Sequence, residues 1–157
     1  TLLRKYFANL GGVYMLGNRV TGGCIEDGRL RYVETSLLPD ERLEASDFVL
    51  ATGSFTSDGL KSNYECVYEP IFHLDVTAPA DRMQWVSTSV FDDQPYLHYG
   101  VRVNALQQVQ KEGHTISNLY AAGAVLGGHN AARLADGAGV DMVTALRVAQ
   151  CILDNNH

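Results

Sequence analysis

Five glycines lie close together in a pattern that could bind a ligand: Gly123, Gly127, Gly128, Gly137 and Gly139. An apolar run at residues 119–126 precedes most of them and predicts a buried strand. A helical period follows at residues 140–153. Helix starts carry unpaired N–H groups and about half a positive charge, and glycines let a ligand reach the backbone. Residues 118–150 therefore predict a site for an anionic or polar ligand; the alternative is that these glycines only turn the chain and cap a helix.

A second apolar run ends in the same way. Residues 47–52 read DFVLAT and lead directly into Gly53. Strands of an open α/β sheet place their ligands at their carboxyl ends. We expect the two runs to form parallel neighbours, with Thr52 and Gly123 at matching ends, although a plain strand end explains Thr52 and Gly53 equally well.

Histidines and cysteines indicate no metal site. His73, His98 and His114 are scattered, no two are spaced as metal ligands, and each fits a hydrogen-bonded structural role. No Ser-His-Asp arrangement is evident. Three widely spaced cysteines form no C-x-x-C pattern, so neither a zinc site nor a disulfide framework is expected.

Further elements are predicted around these two runs. Residues 1–10 form a helix that ends at Gly11, and Asp27-Gly28 connects hairpin strands at 20–25 and 30–36. Residues 61–95 form an irregular aromatic cap, and residues 96–104 alternate like a strand. The helix at 140–153 should bury one apolar face, made of Val140, Val143, Leu146, Val148 and Ile152.

Composition limits the class of protein. The net charge of −6 and the lack of a Lys/Arg cluster argue against nucleic-acid binding. No apolar run reaches the roughly 18 residues of a membrane span, and no signal peptide is evident. A first residue other than Met indicates a piece of a longer chain.

Three segments together resemble the family of the B subunit of anaerobic glycerol-3-phosphate dehydrogenase. They are DFVLATGSFTSDGL at 47–60, YEPIFHLDV at 68–76, and QPYLHYGVRVN at 94–104 followed by NLYAAGAVLGG at 118–128. The resemblance implies a flavin-dependent subunit, with FMN as the expected cofactor and FAD as the alternative. It also implies a complex that oxidises glycerol 3-phosphate to dihydroxyacetone phosphate and passes electrons to quinone. The implied partners are a catalytic flavoprotein subunit and an iron–sulfur subunit that attaches to the inner face of the cytoplasmic membrane, so the protein would be cytoplasmic and peripheral.

The resemblance extends to particular residues. The expected flavin contacts are Thr52, Gly53, Gly123, Ala124, Gly137, Gly139 and Val140. Backbone N–H groups at a helix start near Val140 would stabilise negative charge on the reduced flavin ring. His129 and Arg133 have the His-to-Arg spacing of the HGANRL loop in fumarate-reductase-type flavoproteins, and an Arg guanidinium suits a carboxylate or phosphate. They are the candidate catalytic residues; the alternative is that His129 caps the loop and Arg133 pairs with Asp136.

The predicted fold is α/β: a single unit over residues 1–157, forming the C-terminal part of a Rossmann-like, two-dinucleotide-binding flavin domain. Because a βαβ unit with G-x-G-x-x-G is absent, this piece alone should be inactive and bind flavin weakly or not at all. Two other functions stay open. One is a fumarate-reductase-like enzyme acting on an unsaturated or keto acid, and the other is a non-catalytic scaffold subunit.

Overall fold

The computed structural model describes residues 2–128 and 137–155. Within these residues the chain forms three small β-sheets and two α-helices. The strands are β1 (Val20–Glu26), β2 (Arg29–Thr35), β3 (Leu43–Glu44), β4 (Phe48–Leu50), β5 (Lys61–Ser62), β6 (Val67–Tyr68), β7 (Gln108–Lys111) and β8 (His114–Ala121). The helices are α1 (Leu2–Asn9) and α2 (Gly137–Asn155). The α/β content predicted from the sequence is therefore confirmed.

The first sheet is built on the predicted hairpin. β1 pairs antiparallel with β2, and the turn residues Asp27 and Gly28 have φ angles of 51° and 69°. Two consecutive positive φ angles are typical of the tight turn that matches the twist of hairpin strands, and Gly adopts them without steric cost. β3 then adds to the other side of β2.

The second sheet confirms the predicted parallel neighbours. β4 pairs in parallel with β8, with Leu50 opposite Ala121, and β7 pairs antiparallel with the other side of β8. The strands end earlier than the apolar runs indicate. β8 does not continue to residue 126, because Gly123 takes a φ of 75° and a 3-10 helix (Gly123–Val125) follows.

A buried asparagine connects the two sheets. Asn118 in β8 is 1% exposed, its Oδ1 accepts from Leu30 N at 2.8 Å, and its Nδ2 donates to Leu30 O at 2.8 Å. The same Nδ2 also donates to Ser46 O at 3.1 Å, just before β4. This one side chain thus forms hydrogen bonds to backbone groups of the hairpin and of the segment that enters β4. Because Asn118 is buried, water cannot take its place.

The main core lies between the hairpin, the second sheet and residues 60–76. Its fully buried side chains include Leu30, Leu60, Val109, Leu119 and Val125. A smaller cluster attaches α2 to β8 through Tyr120, Ala122 and Val148. The predicted apolar face of α2 is wrong in part: it includes two residues that are exposed, Val143 at 66% and Leu146 at 69%. The helix instead turns the face of Val148, Cys151 and Ile152 to the sheet.

Residues 61–104 contain little regular structure. β5 and β6 form a short hairpin, and a 3-10 helix (Arg82–Gln84) follows. The strand predicted at 96–104 is wrong, because Pro95 begins a 3-10 helix (Pro95–His98) and only isolated bridges at Val101 and Val103 follow. Proline has no N–H for a sheet ladder and a φ suited to a helix start, which explains the difference.

Glu69 organises the YEPIF segment. Its side chain is 0% exposed, with Oε1 accepting from Ile71 N at 2.9 Å and Oε2 accepting from Phe72 N at 2.7 Å. Both carboxylate oxygens are therefore used to fix the turn that places Phe72 in the core. Burying a carboxylate costs free energy unless hydrogen bonds such as these, or an ion pair, compensate it.

We expect Glu69→Gln to lower the free energy of unfolding by about 1–3 kcal/mol, because the new amide NH2 group faces one of the two N–H donors and leaves it unpaired. Thermal and denaturant unfolding of the full-length protein measure this. Asp81→Asn is the matched control, since exposed Asp81 accepts from Met83 N at 3.0 Å in the same way but in water. Equal losses in the two variants would contradict the burial argument.

Helix α1 lies on the surface and turns large apolar side chains outward, with Leu2 and Leu3 90% and 80% exposed. It ends at Asn9, one residue before the predicted end at residue 10, and Gly11, with a φ of 86°, follows as the predicted stop. In the part of the chain that the structure describes, no helix combines the length and the apolar character needed to cross a membrane.

Candidate functional site

Two glycine turns lie side by side where β4 and β8 end. We call Thr52, Gly53, Gly123 and Ala124 the strand-end site, since two of them follow β4 and two follow β8. The chains are still paired beyond the strands, because Ala122 N donates to Leu50 O at 3.0 Å. The structure therefore brings together the four predicted cofactor residues that lie after these strands.

Gly53 has a φ of 79°, and a Cβ there would overlap the Ser57 side chain. The loop that follows is held tightly, since Ser54 O accepts from Ser57 N at 3.2 Å and from Gly59 N at 2.9 Å. Only glycine fits this combination of a positive φ and close packing. At the end of β4 the turn therefore has backbone atoms, and no side chain, at Gly53.

The turn after β8 is fastened to α2. Gly123 N donates to Thr144 Oγ1 at 2.8 Å, and Thr144 Oγ1 in turn donates to Val140 O at 2.7 Å. A Cβ at Gly123, whose φ is 75°, would lie 2.8 Å from Asp141 Oδ1. This arrangement fixes the first turns of α2 against the strand-end site and leaves Ala124 exposed.

The predicted helix start at Val140 is wrong. α2 already includes Gly137, Ala138 and Gly139, so Val140 lies one turn into the helix. Because unpaired N–H groups belong to the first turn of a helix, they are expected near Gly137 and Gly139 rather than at Val140. Gly139 is exposed, and a Cβ there would meet nothing within 4 Å.

The Thr52 hydroxyl gives an observation that points to a ligand. Its Oγ1 is buried and has no hydrogen-bond partner among the described residues. Buried polar atoms nearly always have partners, so an orphan of this kind requires an explanation. A nucleotide, rich in hydroxyl and phosphate oxygens, would give this hydroxyl a partner, so the strand-end site is compatible with a nucleotide ligand.

Two cavities open beside Thr52. One of about 320 Å³ has a mixed lining that includes Arg19, Ser57 and Lys61. The other, of about 370 Å³, extends along β4 and is lined mainly by apolar side chains. Arg19 belongs to both and lies 4.0 Å from the Asp58 carboxylate, in an exposed ion pair.

The three histidines singled out in the sequence analysis have local partners. His98 Nε2 lies 2.9 Å from Asp93 Oδ2, His114 Nδ1 lies 2.9 Å from Glu112 O, and the ring of His73 stacks on that of Tyr68 at 6.1 Å. These contacts agree with structural roles. The candidate catalytic residues His129 and Arg133 lie outside the described residues. In residues 2–128 and 137–155, no three His, Cys, Asp or Glu side chains are grouped to bind a metal ion.

The sequence analysis did not identify Thr144 or the close contact between Gly100 and Gly127. Gly100 packs so closely on the loop after β8 that a Cβ would overlap backbone atoms of Leu126 and Gly127. Next to it, burial raises the pKa of the Tyr99 hydroxyl, which donates to Gln84 O at 3.2 Å. Glycine-rich spacing at residues 127–128 was the only signal for this close approach.

Comparisons with known proteins identify relatives of this chain. A protein from Haemophilus influenzae (strain PittGG), named as the B subunit of anaerobic glycerol-3-phosphate dehydrogenase, is 44% identical over 156 residues, which cover 96% of this chain and 36% of the relative. Proteins of the same name from Glaesserella parasuis serovar 5 (strain SH0165) and Actinobacillus succinogenes are 40% and 42% identical, over 96% and 99% of this chain and 36% and 37% of the relatives. The resemblance predicted from the sequence is thus confirmed. The chain spans about a third of the length of these curated relatives.

No solved structure matches the chain. The family model described as FAD binding domain matches residues 1–140, which include the strand-end site and the start of α2. Its description supports FAD, the alternative cofactor in the sequence analysis, and gives no support to FMN as the first choice. The chain belongs to this FAD binding domain family.

Proposed function

We propose that this chain is part of a flavin-dependent oxidoreductase subunit that binds FAD at the strand-end site. The whole protein would take part in oxidising glycerol 3-phosphate to dihydroxyacetone phosphate, with electrons passed on to quinone. The observation that carries the proposal is the buried Thr52 hydroxyl, which has no partner among the described residues and lies at the matched carboxyl ends of β4 and β8. Relatives named as a subunit of anaerobic glycerol-3-phosphate dehydrogenase support the substrate.

We also propose the finer architecture. The 157 residues are one unit, the C-terminal part of a Rossmann-like, two-dinucleotide-binding domain. Residues 61–95, which carry Tyr64, Phe72 and Trp85, are its irregular aromatic cap. The parallel β4–β8 pair supports this architecture, because nucleotide-binding α/β sheets place ligands at the carboxyl ends of such strands.

Bound FAD would supply the hydride-accepting chemistry. The residues of this chain would bind and orient it: the Thr52 hydroxyl by a hydrogen bond, and the Gly53 and Gly123 turns by close backbone approach. The first turn of α2, at Gly137 and Gly139, would face the flavin ring, where the positive end of a helix stabilises developing negative charge. His129 and Arg133 remain the proposed substrate-facing pair.

We expect Thr52→Val to weaken FAD binding by the full-length protein about tenfold, the value of one hydrogen bond. The melting temperature of the FAD-free protein should not fall, because Val has the shape of Thr and Oγ1 has no partner to lose among the described residues. Equilibrium titration with FAD and thermal unfolding measure the two quantities.

Thr88→Val, at an exposed position away from the site, is the matched control and should leave both quantities unchanged. If Thr52→Val binds FAD as tightly as the wild type, the hydroxyl does not contact the cofactor. If the variant loses stability without FAD, Oγ1 has a structural role instead.

Anaerobic mixing of the FAD-loaded full-length protein with glycerol 3-phosphate tests the substrate. Bleaching of flavin absorbance near 450 nm is expected, on the order of one flavin per chain. Mixing the reduced protein with fumarate tests the second candidate, which the spacing of His129 and Arg133 favours. Reoxidation by fumarate without bleaching by glycerol 3-phosphate would replace the first function with the second.

We further propose that the protein works in a complex with a catalytic flavoprotein subunit and an iron–sulfur subunit that anchors the assembly. It would thus be cytoplasmic and peripheral at the inner face of the membrane. The word "subunit" in the names of the relatives supports an assembly. A full-length protein that stays colourless after FAD is added would favour a scaffold role in that assembly.

A further inference from the structure

A second buried polar atom lies just before β7. The side-chain oxygen of Gln107, Oε1, is buried and has no hydrogen-bond partner among the described residues. The backbone of Gln107 is held firmly, because its N–H donates to Asn104 O at 3.1 Å and its carbonyl accepts from Ala121 N at 2.9 Å. Its φ of 63° is uncommon for a residue other than glycine. The fold thus fixes where this side chain begins, and an acceptor without a partner there requires an explanation.

Gln107 lines a cavity of about 400 Å³, which we call the Gln107 pocket and whose volume lies at the lower end for ligand sites. Its described lining combines three apolar side chains with three polar ones: Val101, Val103, Leu126, Thr77, Arg102 and Gln107. Of these described lining residues, Arg102 is the only charged one. Arg102 is exposed and forms no ion pair with another described residue. The pocket therefore combines one positive charge with one acceptor that needs a donor.

The Gln107 pocket adjoins the strand-end site. Leu126, in the lining of the pocket, donates its N–H to Gly123 O at 3.0 Å. The carbonyl of Gln107 accepts from the N–H of Ala121, the last residue of β8. A substrate that gives a hydride to flavin must lie against the flavin ring, so its site has to adjoin the cofactor site. The Gln107 pocket meets this requirement.

We propose that the Gln107 pocket binds the substrate, a small phosphate ester that carries a free hydroxyl, with Gln107 Oε1 accepting from the hydroxyl and Arg102 binding the phosphate. A carboxamide oxygen only accepts, so it selects a ligand with an O–H or N–H donor. The terminal torsion of glutamine is broad, so the carboxamide can turn to such a donor at little cost. A guanidinium binds phosphate through two parallel hydrogen bonds.

This pocket chemistry separates the two candidate substrates. Glycerol 3-phosphate carries both a hydroxyl donor and a phosphate, whereas fumarate at neutral pH has only acceptors and would leave Gln107 Oε1 without a partner. Gln107 is thus a specificity-determining residue that favours the hydroxyl-bearing anion. The inference rests on the proposed function and names residues that bind its substrate.

Calorimetric titration of the full-length protein tests the ligand class. Any bound flavin is reduced beforehand, so that binding is measured without turnover. Glycerol 3-phosphate should bind at least about tenfold more tightly than glycerol, which lacks the anion, and than sulfate or fumarate, which lack a donor. Fumarate or sulfate binding as tightly as glycerol 3-phosphate would overturn the inference, and so would a protein that binds none of them.

Variants assign the binding to the two residues. Gln107→Met should weaken binding of glycerol 3-phosphate about tenfold, and Arg102→Gln about 30-fold. Gln84→Met and Arg31→Gln are the matched controls, since both residues are exposed and lie outside the pocket, and each should change the affinity less than about twofold. Without ligand, Gln107→Met should unfold at the denaturant concentration of the wild type or above it, because Oε1 has no partner to lose among the described residues.

Unchanged affinity in both pocket variants would overturn the inference, and so would a loss of stability in ligand-free Gln107→Met, which would assign Oε1 a structural partner. Flavin content and bleaching are measured separately. If glycerol 3-phosphate bleaches the flavin while both variants bind it normally, the proposed function stands and this inference fails. If the protein contains no flavin but its binding of glycerol 3-phosphate depends on Gln107 and Arg102, the reverse holds.

Discussion

Replacing Asn118 with Ala is expected to lower the free energy of unfolding by about 2–4 kcal/mol. The variant leaves Leu30 N and Leu30 O without their partners in a region where Leu30 is only 2% exposed. It also removes the bond to Ser46 O that holds the chain entering β4. Denaturant unfolding of the full-length protein, followed by circular dichroism, measures the loss.

Asn63→Ala is the matched control, because Asn63 Oδ1 also accepts two backbone N–H groups, those of Glu65 and Cys66, each at 2.8 Å. Its position is exposed, so water can replace the lost bonds and the cost should stay below about 1 kcal/mol. A similar loss in both variants would show that burial of the Leu30 backbone does not decide the effect. The control also separates loss of an asparagine side chain from loss of the connection between the sheets.

Gly100→Ala is expected to have an effect as large, about 3 kcal/mol or more. The new methyl group would overlap backbone atoms of Leu126 and Gly127, which cannot rotate away as a side chain can. Several hydrogen bonds depend on this approach, including Val101 N to Val125 O at 2.9 Å and Gly128 N to His98 O at 2.8 Å. The loop after β8 should therefore shift, and FAD affinity should fall together with stability.

Gly22→Ala provides the control for this variant. A Cβ at Gly22, in β1, would meet only Glu34 Oε2, at 3.9 Å, which is ordinary contact. Because Ala restricts the unfolded chain more than Gly does, this change should be neutral or slightly stabilising. If Gly100→Ala unfolds at the same denaturant concentration as the wild type, the close approach of the two segments does not exist in the full-length protein.

The parts of the fold predicted correctly depend on local chemistry. Asp27 and Gly28 specify a tight hairpin turn by themselves, because few other residues accept their φ angles. The parallel pairing of β4 and β8 was predicted from two apolar runs that each end in glycine, a pattern that reflects burial on both faces. Each signal is local: the turn lies within a few residues, and each apolar run and its glycine lie within about ten, although the two runs are far apart in the sequence.

The parts that were wrong depend on contacts between distant residues. The inward face of α2 is decided by the bond from Gly123 N to Thr144 Oγ1 and by packing on Tyr120, rather than by the helix's own apolar residues. With this face of α2 turned to the sheet, Val143 and Leu146 are left exposed. A polar residue such as Thr144 has no place in an apolar stripe, so hydrophobic periodicity could not identify it.

The candidate site shows the same division. Thr52, Gly53 and Gly123 were identified because strand ends and glycine turns are visible in the sequence. The burial of Thr52 Oγ1 could not be identified from the sequence, because it depends on how the turn after β4 packs in three dimensions. The resemblance added the kind of ligand, which neither spacing nor periodicity specifies.

The most direct test of the account is the flavin content of the full-length protein, measured by denaturing it and quantifying the released cofactor by chromatography. The account predicts about one FAD for each strand-end site, and a lower content in Thr52→Val purified in the same way. A wild-type protein that releases no flavin, and takes up none when FAD is added, would contradict the claim that the carboxyl ends of β4 and β8 bind this cofactor.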